Sequence, residues 1–95
     1  MAILTMFEVH GDPEAIVATE DAMIVPQARR LALENGGISQ TVVKTEHGVM
    51  MVHLWESEQG MRRVSEQIQP RAEAAGLEAV GWRQYEVLRH LTAAD

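Results

Sequence analysis

The sequence predicts an α+β domain of the ferredoxin-like type, βαββαβ, in which a four-stranded antiparallel sheet carries two helices on one face. Three observations predict it. Residues 2–9 and 49–55 are apolar at most positions on both alternating sets, as in strands covered on both faces. Residues 12–35 and 57–75 open on helix-capping residues and carry apolar residues on one side. The order strand, helix, strand, strand, helix, strand is the split βαβ arrangement.

The first strand, AILTMFEV, sets Ile3, Thr5, Phe7 and Val9 on one face and Leu4 and Met6 on the other, and Gly11 ends it. Asp12-Pro13-Glu14 starts a helix: Asp12 can cap free N–H groups, Pro13 suits the first helical position, and Glu14 complements the dipole. Ile16, Met23 and Leu31 mark its apolar stripe, Pro26 should kink or split it, and Gly36-Gly37 closes it. Residues 38–46 alternate as a second strand, with Val42 and Lys44 opposite Thr41, Val43 and Thr45. His47-Gly48 is a tight turn in which Gly48 supplies a positive φ. Residues 49–55, VMMVHLW, make the third strand. Ser57 caps the next helix, whose stripe is Met61, Val64, Ile68, Ala72 and Ala75, with a bend expected near Gln67 from Pro70. Gly76-Leu77 fits a Schellman ending, and residues 79–91 read as the last strand.

Right-handed crossovers put both helices on one sheet face. The other face is then bare, yet strands one and three are apolar there too, which marks an interface. Two such sheets face to face give a homodimeric barrel with a cavity between the sheets. Small size supports the same reading. Ninety-five residues make one domain, 1–95, and without cysteine its stability gains from added burial.

The absence of cysteine fits a reducing compartment. The start of the chain lacks a basic region and a long apolar stretch, and no run approaches the ~20 residues of a membrane helix. The expected location is the cytoplasm, with no membrane partner. A formal net charge of −6 argues against a nucleic-acid partner. The Arg29–Arg30 and Arg62–Arg63 pairs read as solvated helix faces. There is no GxGxxG, phosphate loop or GxSxG, so nothing points to nicotinamide, flavin or ATP.

The segment His53-Leu54-Trp55-Glu56-Ser57-Glu58-Gln59 resembles the strand-to-helix junction of the dimeric α+β barrel superfamily, which includes antibiotic-biosynthesis and heme-degrading monooxygenases and small uncharacterised bacterial proteins. The stretch Gln69 to Leu77 resembles that last group. The resemblance implies that Trp55 points into the barrel cavity, with Val49, Met51 and His53 on the same face. Heme degraders also carry an Asn on the first strand and a His about ten residues after the Trp. The first strand here has no Asn, and Val64, Ser65 and Glu66 stand near the second place. No heme is expected, and no other cofactor.

His53 is the candidate catalytic residue. In an apolar cavity its imidazole should stay neutral and could accept a phenolic proton. The plainer reading is a satisfied core histidine. Trp55, Met51, Phe7, Thr5 and Tyr85 are the candidate ligand-binding residues. In this reading His53 and Trp55 face the inter-sheet cavity, whereas Met50, Val52 and Leu54 meet the helices. Tyr85 shares a face of the last strand with Arg83 and Val87, opposite Trp82, Gln84 and Glu86. His10 and Asp12 lack the further ligands a metal needs, His47 reads as an exposed turn residue, and His90 as a dimer-edge residue. Three functions follow: binding of a small apolar or aromatic molecule, a cofactor-independent monooxygenase acting on a polycyclic phenol, or a structural dimer with a filled core.

Overall fold

A computed structural model describes residues 1–94. Its elements are β1 (Ile3–His10), α1 (Pro13–Met23), α2 (Val25–Glu34), β2 (Gly37–Lys44), β3 (Gly48–Trp55), α3 (Glu58–Ala74) and β4 (Val80–Glu86). The four strands form one antiparallel sheet in the order β2-β3-β1-β4. This is the expected ferredoxin-like arrangement.

The local signals act where the sequence puts them. The Asp12 carboxylate accepts from the Ala15 N–H at 2.9 Å, and Ser57 Oγ accepts from the Gly60 N–H at 3.1 Å. The Leu77 N–H reaches the Ala72 carbonyl and the Gly76 N–H the Glu73 carbonyl, closing α3 in a Schellman motif. Pro26 does split the first helix. α1 ends at Met23, and α2 starts at Val25 with Pro26 in its first turn, where a missing N–H costs nothing. The split changes the phase of the stripe: Ile16, Ile24 and Leu31 are buried, whereas Met23 is 58% exposed. The stripe of α3 stands as read, with Met61 and Val64 buried and Ile68, Ala72 and Ala75 packed on the core. α3 runs unbroken through Pro70.

Three expectations change. Gly37 opens β2 rather than closing a helix. The last strand ends at Glu86, and residues 87–94 lie outside the sheet, although the Val87 N–H still donates to the Ala2 carbonyl at 2.9 Å. Gly48 does not take a positive φ. A Cβ at this position would stand 2.1 Å from the Val9 carbonyl oxygen, so close approach of the first strand demands the glycine.

The largest correction concerns the faces of the sheet. Val49, Met51 and Trp55 pack against Ile16, Leu31, Met61 and Val64 on the helices and Ile24 at the α1–α2 junction. The odd-numbered face of β3, His53 included, therefore lies under the helices and not at an inter-sheet cavity. Met50, Val52 and Leu54 take the bare face, beside Leu4 and Met6 of β1. Both alternating sets of β3 are apolar, so alternation defined the two sets without saying which one the helices cover.

Candidate functional site

The register lines up side chains across the helix-covered face. Gln40 stands opposite His53, His53 opposite Thr5, and Thr5 opposite Gln84. One pair further along, Val42, Met51 and Phe7 form a second row. The ladder between β1 and β4 shifts register between Met6 and Glu8, where Gly81 adopts φ +69°. That bulge carries Trp82 onto Phe7, an example of a strand irregularity re-aiming a side chain.

The result is an unbroken line of rings. Trp82 stacks on Phe7 at 5.6 Å between centroids, Phe7 stacks on His53 at 5.7 Å, and His53 meets Trp55 at 5.8 Å. The interplanar angles of 12° and 23° in the first two contacts set the rings of Trp82, Phe7 and His53 nearly parallel along the sheet surface. Trp55 is held at its end by a hydrogen bond from its indole N–H to Oγ1 of fully buried Thr5, at 3.0 Å. The bond satisfies both buried polar groups. A cavity of about 940 Å³ lies between this surface and the helices, walled by residues of α1, α2 and α3. It is large enough for a drug-sized molecule and mostly apolar in its lining.

One wall is polar. Glu20 of α1 is buried, and its Oε1 accepts from Gln40 Nε2 at 2.7 Å. The same nitrogen lies 3.1 Å from His53 Nε2. Burial pushes the Glu20 carboxyl above the usual carboxylate range, against the lowering effect of the Gln40 hydrogen bond. Burial also lowers His53 to about 4, so the imidazole is neutral at pH 7.

Thr5, Phe7, Met51, His53 and Trp55 thus share one face and line one cavity. Tyr85 does not join them. It pairs with Leu4 on the bare face and is half exposed. Sequence reasoning missed Glu20 and Gln40 and named Trp82 only as part of the alternative face of the last strand, the face that lines the cavity. The signal for Glu20 is its place between Ile16 and Ile24 at intervals of four, which sets a carboxylate in the buried stripe. At the end of β1, His10 and His47 bring their rings to 5.7 Å. No group of three His, Asp or Glu side chains converges among the described residues.

No family model matches the chain, and no curated protein sequence matches it. Solved structures do. A dimeric ferredoxin-like protein from an uncultured marine organism superposes with a TM-score of 0.69 at 14% identity, covering 97% of this chain and 92% of that one. The fold is ferredoxin-like. SnoaB, a cofactor-independent oxygenase from Streptomyces nogalater, superposes with a TM-score of 0.63 at 17% identity over 95% of this chain and 94% of its own. An antibiotic-biosynthesis-monooxygenase-like protein from Chloroflexus aurantiacus gives 0.65 at 12% identity, covering 97% and 98%. These neighbours agree with the ferredoxin-like fold expected from the sequence. No helix among the described residues is long and apolar enough to cross a membrane.

Proposed function

We propose that the chain forms a homodimer through its bare sheet face and binds a flat, mostly apolar aromatic molecule between the sheet and helices of each protomer. The line Trp82–Phe7–His53–Trp55 along the cavity carries this reading. Nearly parallel rings beside a cavity favour offset stacking of another ring system, worth about 1 kcal/mol per aromatic pair beyond area burial. The polar wall at Gln40 and His53 would orient the ligand. The homodimer rests on the apolar sheet face and on the fold shared with a protein described as dimeric. Titrating labelled protein with 2-methylnaphthalene should shift resonances of residues around the cavity, and Phe7→Ala should weaken binding about fivefold. Failure of any fused-ring aromatic to bind up to its solubility limit would remove this function.

The second reading, a cofactor-independent monooxygenase of polycyclic phenols, draws on the fold shared with SnoaB. It sets a condition on the substrate. An ordinary phenol ionises near 10, whereas His53 holds its proton only below about 4. That proton transfer is uphill by about 8 kcal/mol, so the hydroxyl must be acidified by flanking carbonyls. Binding makes no such demand and is the reading preferred. Oxygen uptake on adding a carbonyl-flanked polycyclic phenol, lost in His53→Phe, would reverse the preference.

A further inference from the structure

We infer that Glu20 and Gln40 fix the proton of His53 on Nδ1, so that the cavity offers a hydrogen-bond donor and selects aromatic ligands bearing an acceptor oxygen, a carbonyl or a phenolate. The inference names the ligand class for the binding site proposed above and rests on that reading.

The argument starts at Glu20. In its ionised form Glu20 only accepts, and the group 2.7 Å from its Oε1 is then the Gln40 amide nitrogen and not the amide oxygen. That nitrogen has two N–H bonds. One is committed to Glu20, and the other faces His53 Nε2 at 3.1 Å. A nitrogen that accepts carries no proton, which leaves the proton of neutral His53 on Nδ1. Gln40 sits on an edge strand with its side chain open to solvent, so little packing holds its amide one way round. The carboxylate at Glu20 decides the orientation. The donor it creates is free to act. His53 lines the cavity, and Nδ1 has no hydrogen-bond partner and is not sealed from solvent among the described residues. A ligand in the cavity whose acceptor oxygen reaches the His53 ring edge therefore meets this N–H. Glu20 and Gln40 act through His53 and are positioning residues.

The test joins a spectroscopic readout to a ligand pair. Nitrogen-15 spectra of the imidazoles, with His53 assigned by His53→Phe, should show Nδ1 protonated and Nε2 bare at pH 7. Gln40→Met removes the amide, and Glu20→Gln lets a second amide meet either end of Gln40. In both variants the Nδ1–H form should lose its dominance while far-UV spectra and melting show a folded protein. Wild-type protein with the proton on Nε2 would overturn the assignment. The ligand pair is naphthalene and 1,4-naphthoquinone, alike in shape but for two carbonyl oxygens. The quinone should bind about fivefold more tightly, the worth of one neutral hydrogen bond, and lose that advantage in His53→Phe. Equal binding of the two by wild type would overturn the donor while leaving the aromatic site standing. Absence of binding by both would overturn the aromatic site itself.

Discussion

An imidazole loses affinity for its proton when it loses water, and His53 is stacked on Phe7 and meets Trp55 at a tilt, with its side chain half-buried. Its value falls from 6.5 in the unfolded chain to about 4 in the fold. Keeping it neutral therefore costs nothing above pH 6.5, and stability is lost as pH falls from 6.5 through 4, by at most about 3 kcal/mol. Wild-type protein should lose more of its melting temperature than His53→Phe between pH 7 and pH 4. Glu20 has the opposite sign. Its folded value is raised, so the stability linked to it is present below the unfolded carboxylate value and is lost as pH rises through the folded one. Glu20→Gln should melt higher than wild type at pH 7, and the gain should vanish in acid. A gain that persists at low pH would mean the change acts through something other than charge burial.

Helix α3 tests how far an element can be read from its sequence. Val64 is 5% exposed and packs with Trp55 and Met61, whereas Glu66, two residues on, faces solvent. Val64→Asp should cost several kcal/mol through an unpaired buried carboxylate, and Glu66→Ala should stay within about 0.5 kcal/mol. Urea midpoints measured side by side would check the contrast. Five apolar positions at intervals of three and four leave one phase open to this helix, which is why its buried face was legible. β3 was legible as a strand but not as a facing. Val49, Met51 and Trp55 are no more apolar than Met50, Val52 and Leu54, and a period of two is satisfied by either assignment. The hydroxyl of buried Thr5 is satisfied by Trp55, a pairing that spans 50 residues and leaves no local trace. Glu20 was hidden by its charge. The Pro26 break had to be resolved before Ile16 and Ile24 could be seen to bracket it.

At the scale of the whole molecule, one face of the sheet has helices and the other has none. Met6 and Val52 stand paired near the middle of that second face, with Val43 and Tyr85 exposed toward its margins. A carboxylate at position 52 would be buried in duplicate in a symmetric dimer. Val52→Asp should shift sedimentation from about twice the 10.6 kDa chain mass toward one chain mass while leaving the helical signal in place. A wild-type chain that sediments as a folded monomer at micromolar concentration would end the homodimer proposal. The antiparallel pairing of β1 with β4 sets Ile3 beside Glu86, and the Val87 N–H reaches the Ala2 carbonyl. The beginning of the first strand and the end of the last are therefore one hydrogen bond apart. A short glycine-rich bridge from residue 87 to residue 2, with the chain reopened between exposed Glu46 and His47, would preserve all four strands in a new order. In that circular permutant β4 and β1 become a hairpin, and the β2–β3 pairing must close across nearly the whole chain. Folding should slow if the β2–β3 hairpin forms early in the native order, and quicken if closing β1 against β4 is the slow event.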